Sequence, residues 1–163
     1  MRVSIGSDHH GVAVRFKLAD LVAQLGHQVT IHGPKEEKPE PVDYPDVAGE
    51  VAREVSFGRA DRGILICGTG IGMCIAANKF RGIRAATIVD ELSAEISRRH
   101  NDLNVLCLAG DLLSEHAAEQ IVKVWLNTPF DAGRHTRRIE KITEFERQMA
   151  TPQESAVNCP SCR

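Results

Sequence analysis

Aromatic residues are scarce in this chain, one Trp, one Tyr and five Phe making 4% of 163 residues. So few rings leave no supply of stacking platforms for single-stranded nucleic acid. Charge of one sign is also lacking. The 20 basic and 22 acidic residues are scattered along the chain with a formal net charge of −2, so no sequence-wide basic field gathers nucleic acid or an anionic membrane. No apolar run approaches the ~20 residues of a membrane span, and the opening MRVSIGSDHHG lacks the apolar core of a secretion leader. The expectation is a cytoplasmic protein with no nucleic-acid or membrane partner. Five cysteines form no disulfide framework, since their number is odd and three of them (Cys67, Cys74, Cys107) lie in apolar segments, which suits a reducing compartment. No H-E-x-x-H and no paired cysteine clusters occur, so neither a metal nor another cofactor is expected.

What is present is an ordinary globular composition, 42% apolar and 26% charged, long enough for one domain with a real core. Strand patterns at Arg2 to Gly6, Gln28 to Ile31, Gly63 to Cys67, Ile83 to Val89 and Asn104 to Ala109 alternate with helical patterns. The helices run from Val14 to Leu25, Val47 to Val55, Met73 to Ala77, Asp90 to Arg99, Ser114 to Leu126 and Ile139 to Met149. Such alternation argues for β-α crossovers and an α/β fold with a parallel sheet covered on both faces. A proline-rich charged loop precedes Tyr44, and Thr128 to Arg138 reads as an irregular basic turn. Residues 1–150 are expected to form a single domain. Residues 151–163 lose periodicity, and Pro152 and Pro160 break any helix, so they read as a flexible tail. Its Cys159 and Cys162 have redox or half-zinc-site spacing without the second ligand pair that would make it specific.

The chain is organised around RGILICGTGIGMCIAAN, Arg62 to Asn78. An apolar strand ends in a thiol, Cys67, and three alternate glycines, Gly68, Gly70 and Gly72, lead into a helix. Glycines let a ligand approach backbone amides closely, and amides at a helix start carry partial positive charge. The loop suits negative oxygen, beside a potential nucleophile or base at the carboxyl end of a strand, where open α/β sheets bind ligands. The spacing matches neither G-x-G-x-x-G nor G-x-x-x-x-G-K-[ST]. The plainer alternative is a small buried thiol followed by a tight turn.

Asp8 and His9 follow the first strand and so emerge on the same sheet edge as Cys67. His100, Asn101 and Asp102 end a helix that returns to the opposite edge, so a second subunit would be needed to bring them to Cys67. Histidine is the side chain suited to acid-base work near neutrality. Asp8-His9-His10 also fits a helix cap with two solvated histidines, or metal ligands. Arg134 and Arg138 share a helical face if the last helix starts there, a pair suited to gripping phosphate oxygens or, more simply, to a solvated basic turn.

The blocks Ser7-Asp8-His9, Asp43-Tyr44-Pro45, Ile66 to Gly72, Ala76 to Lys79, Gly82 to Ala85, His100 to Leu106 and Gly133-Arg134-His135 together resemble the type B ribose-5-phosphate isomerases. These share a family with the galactose-6-phosphate isomerase subunits. The resemblance spans about Arg2 to Met149. It implies a Rossmann-like three-layer sandwich with a five-stranded parallel sheet, and a homodimer or tetramer whose sites are shared between subunits. It implies aldose–ketose isomerisation of a phosphorylated sugar, ribose 5-phosphate to ribulose 5-phosphate, through a cis-enediolate and without a metal. By the same resemblance Cys67 is the base and Thr69 assists proton transfer, while the amides of Gly68, Gly70, Ile71 and Gly72 stabilise the enediolate. His100, with Asp8 and Tyr44, opens the furanose ring. Asn101 holds a sugar oxygen, and His9, Arg134 and Arg138 hold the phosphate. One departure stands out: many pentose-phosphate members carry an arginine after the fifth strand, where this chain has Asp111. An aspartate pointing inward there would repel a phosphate, which leaves room for a tetrose, hexose or unphosphorylated sugar, or for a non-catalytic anion-binding module.

Overall fold

The computed structural model describes residues 1–35 and 40–150; part of the charged loop and the tail with Cys159 and Cys162 lie outside the described residues. Five strands, β1 (Arg2–Ser7), β2 (Gln28–His32), β3 (Arg62–Cys67), β4 (Ala85–Thr87) and β5 (Val105–Ala109), form one sheet in the order β2-β1-β3-β5-β4. Every pairing is parallel. Six helices connect and cover it: α1 (Val12–Gln24), α2 (Tyr44–Ser56), α3 (Ile71–Ala77), α4 (Glu91–Asn101), α5 (Glu115–Asn127) and α6 (Arg134–Ala150). This is the expected α/β, Rossmann-like three-layer arrangement.

Strand side chains alternate between faces, and the alternation in β3 divides the core. Ile64 and Ile66 pack with α1, α4 and α5 residues such as Leu18, Ala94 and Ile121, whereas Leu65 and Cys67 pack with Val51 of α2 and Met73 of α3. The Cys67 side chain is thereby committed to the α2/α3 layer. The chain leaves β1 toward β2 and re-enters on the other side of β1 at β3. That reversal opens the crevice in which doubly wound sheets bind ligands, and it lies between the ends of β1 and β3, where the Asp8 amide donates to the Ile66 carbonyl at 3.2 Å.

Three elements differ most from the sequence expectation. The fourth strand is only Ala85–Thr87 and not Ile83 to Val89. It is an edge strand with β5 as its single partner; before it Asn104 Oδ1 takes the Arg84 amide, and Asn78 Oδ1 accepts the Ala85 amide on the free edge. Helix α2 starts at Tyr44, before Val47, because Pro45 sits in the first turn where its missing N–H costs nothing. Helix α6 starts at Arg134 and not at Ile139, which converts half of the expected basic turn into helix and puts Arg134 and Arg138 one turn apart. Elsewhere the stop and start signals act as read: Gly26, at φ +83, follows α1, and Asp90 caps α4 in a reciprocal capping box with Ser93.

Candidate active site

The side chains expected to form a site stand in two groups on opposite edges of the sheet. The first is at the carboxyl edge. Cys67 ends β3 with 5% of its surface exposed, and its carbonyl accepts the Gly110 amide at 2.8 Å. The chain then turns through Gly68 and Thr69 to Gly70, which caps α3 in the left-handed region (φ +74). A Cβ on Gly70 would come within 2.9 Å of Thr87 Cγ2 and 3.1 Å of the Leu108 carbonyl carbon, so glycine is required both by φ and by space. Thr69 is exposed, and its Oγ1 accepts the Ile71 amide at 3.4 Å. Helix α3 begins at Ile71, and the Tyr44 ring packs over Gly72.

Asp8, at the end of β1, is buried, and its Oδ1 accepts the His10 amide at 2.9 Å. The Val42 amide donates to His9 Nδ1 at 3.3 Å, which leaves the Nε2–H of neutral His9 free to donate elsewhere. The expected carboxyl-edge residues Asp8, His9, Tyr44, Cys67, Thr69, Gly68, Gly70, Ile71 and Gly72 are thus brought to one end of β1, β3 and α2. Two more residues, singled out in the sequence without an assigned site role, lie with them. His10 stacks obliquely on His9, with ring centres 4.5 Å apart, and its Nδ1 lies 3.1 Å from Asp111 Oδ2. Asp111 lies over Gly68 with half of its side chain exposed, its Oδ2 falling 2.7 Å from where a Cβ of Gly68 would be.

The second group is at the amino edge. His100 and Asn101 end α4, and the Asn101 carbonyl accepts from Nε of Arg84, the residue preceding β4, at 3.1 Å. Asp102 follows at φ +45 and pairs with Arg84 and Arg98 at 2.7 and 2.8 Å. His100 stacks on His135 of α6, and Arg134 Nε lies 3.3 Å from His135 Nε2. His135 is held below the ordinary imidazole value by burial, then by His100, Arg134 and Arg138. A chain in isolation does not bring His100 and Asn101, at the far end of α4, or Arg134 and Arg138, on α6 beside them, to Cys67. His135, on which His100 stacks, was not among the expected site residues; its signal was adjacency to Arg134 within one helical turn.

Beneath the loop, Cys74 of α3 lies among Cys107, Thr87 and Asn78. Hydrogen bonding from the Cys107 thiol, and then from Thr87 and Asn78, outweighs burial and lowers Cys74 to about 6, while Cys107 is raised. Among the described residues no group of three or more His, Cys, Asp or Glu is placed to hold a metal ion, and no helix is long and apolar enough to cross a membrane.

The sequence pattern of the Ribose/Galactose Isomerase family matches residues 3–142. The chain is 40% identical over 147 residues to ribose-5-phosphate isomerase B of Escherichia coli, covering 90% of this chain and 97% of that one. It is 37% identical over 148 residues to D-erythrulose-4-phosphate isomerase of Pectobacterium atrosepticum, covering 91% and 97%. Among solved structures, ribose-5-phosphate isomerase B of Clostridium thermocellum superposes with a TM-score of 0.88 at 43% identity, over 92% of this chain and 100% of that one.

Proposed function

The chain belongs to the ribose/galactose isomerase family and is a sugar-phosphate aldose–ketose isomerase, and from that premise we propose that it interconverts ribose 5-phosphate and ribulose 5-phosphate through a cis-enediolate, with Cys67 as the base. The observation that carries the reading is the thiol of Cys67 at the mouth of the Gly68–Gly72 loop in the β1/β3 crevice.

The chemistry follows from the groups present. The Cys67 thiolate takes the proton from C2 of the open aldose, and the electron pair left behind forms the C1–C2 double bond as negative charge moves to O1. Backbone amides of the loop meet that charge where it develops. The exposed Thr69 hydroxyl passes a proton from O2 to O1, and the Cys67 thiol, once its proton has exchanged with solvent, delivers a proton to C1, leaving the ketose. Ring opening precedes this and needs a proton donor and acceptor near neutrality, a role assigned to His100 with Asp8 and Tyr44. Asn101 holds a sugar oxygen. His9, through its free Nε2–H, joins Arg134 and Arg138 around the phosphoryl group.

Because His100, Asn101, Arg134 and Arg138 stand at the opposite edge, the reading requires a homodimer in which the amino edge of one copy completes the carboxyl edge of the other, alone or paired into a tetramer. Residues 1–150 act as the single isomerase domain. Turnover of ribose 5-phosphate by the purified protein, without added metal, tests the reading in a panel of tetrose, pentose and hexose phosphates and free sugars. A leading kcat/KM for ribose 5-phosphate supports it. A leading tetrose phosphate would favour a second reading, for which the likeness to a D-erythrulose-4-phosphate isomerase and the Asp111 carboxylate over Gly68 speak.

A further inference from the structure

Three free thiols share the layer between the sheet and α2/α3: Cys67 at the end of β3, Cys107 in β5 and Cys74 in α3. Isomerisation uses Cys67, and the other two have no part in it. Those two are paired. Cys107 is sealed from solvent, with Leu65 and Thr87 beside it in the sheet, and its thiol hydrogen-bonds to the sulfur of Cys74. Cys74 is half-buried. Asn78 Nδ2 donates to its sulfur at 3.6 Å, and the same sulfur lies 3.5 Å from the Ala85 carbonyl oxygen. A small reagent from solvent therefore meets Cys74 before Cys107, and it meets a sulfur ringed by hydrogen-bond donors that favour the thiolate. One thiol is reachable and activated, and the second touches it but is closed to everything else.

We propose that Cys74 and Cys107 form an oxidation site, in which a hydroperoxide oxidises Cys74 and Cys107 resolves the product to a disulfide that switches the isomerase off. The Cys74 thiolate attacks one oxygen of the hydroperoxide and the O–O bond breaks. The departing oxygen takes a proton and leaves as water or an alcohol, and Cys74 is left as a sulfenic acid. The Cys107 sulfur then displaces the sulfenic hydroxyl, which leaves as water with the Cys107 proton. Two thiols are oxidised and one hydroperoxide is reduced. The effect reaches the anion cradle through α3. The Cys74 amide donates to the Gly70 carbonyl at 3.1 Å, and Gly70 already lies against Leu108, the neighbour of Cys107, without room for a Cβ. Bonding the two sulfurs draws α3 onto β5 and displaces loop amides that have no slack. This last step rests on the isomerase reading, whereas the disulfide itself does not.

The test treats the full chain with hydrogen peroxide and maps its disulfides by peptide mass spectrometry without reduction. The expected product joins the peptides of Cys74 and Cys107. Turnover of ribose 5-phosphate falls in step with the linked fraction and returns on reduction with dithiothreitol. Cys74→Ser, which keeps the size of the side chain, retains basal turnover and holds it through the peroxide treatment. In Cys107→Ser the reaction stops at the sulfenic acid, which dimedone traps on Cys74. Peroxide that leaves Cys74 reduced, or joins it to Cys67, Cys159 or Cys162, overturns the pairing. Activity lost as fast in Cys74→Ser as in the unmodified chain overturns the control of turnover. If ribose 5-phosphate is not turned over at all, the isomerase reading fails, while the mapped disulfide still decides whether Cys74 and Cys107 are partners.

Discussion

The imidazole of His100 lies face to face on that of His135, with ring centres 4.3 Å apart and planes 6° from parallel. His135 is buried and, with its proton affinity lowered by burial and by neighbouring positive charge, it is a neutral platform at neutral pH. We expect His135→Ala to free the His100 ring and to lower kcat/KM for ribose 5-phosphate on the order of 10- to 100-fold. His135→Phe preserves the stack and retains most of the activity. Steady-state kinetics of both, with circular dichroism to check folding, measure the difference.

The separation of Cys67 and His100 to opposite edges makes complementation between subunits a sharp test. Cys67→Ala and His100→Ala proteins are each inactive alone. Dissociated, mixed and reassociated in equal amounts, half of the dimers are mixed and each of these has one intact site of two, so activity returns to about a quarter of the unmodified level. No recovery after verified exchange of subunits contradicts the shared site.

Cys74 gives a pH prediction. Its thiol is lowered to about 6 by the Cys107, Thr87 and Asn78 contacts, and the thiolate is the reactive form. Alkylation of Cys74 by iodoacetamide is therefore expected to rise through pH 6 and to level off near neutrality. An ordinary thiol would still be climbing above pH 8. Cys107, raised by the same hydrogen bond and fully buried, stays unmodified. Peptide mass spectrometry across a pH series reads both.

Gly70→Ala should destabilise the fold by at least about 2 kcal/mol, since the left-handed conformation disfavours a Cβ and the space is closed by Thr87 and Leu108. Denaturant unfolding measures it. Turnover falls as well, because the strain is relieved by moving the loop amides.

Much of this was legible in the residues. The alternation of Ile64, Leu65, Ile66 and Cys67 fixes which face each meets, and the capping signals at Gly26 and Asp90 act where they stand. The order of strands places Asp8 beside Cys67 and sends His100 away from it. What was not legible depends on partners distant in sequence. The fourth strand begins late because Asn104 takes the Arg84 amide just before it, and a run of apolar residues carries no sign of that. Helix α6 begins early, and His135 finds His100 through tertiary packing. Asp111 was visible as a charge after β5. That it turns onto Gly68 and pairs with His10 is set by the Asp111 amide reaching the Gly68 carbonyl across the β3–β5 pair.

The central claim is that Cys67 moves a proton between C2 and C1, and the most direct measurement is proton NMR of ribose 5-phosphate with the protein in D₂O. The account predicts ribulose 5-phosphate carrying solvent deuterium at C1, and neither product nor exchange at C2 with a folded Cys67→Ala variant. Undiminished conversion by Cys67→Ala, or conversion that never admits deuterium, would contradict it.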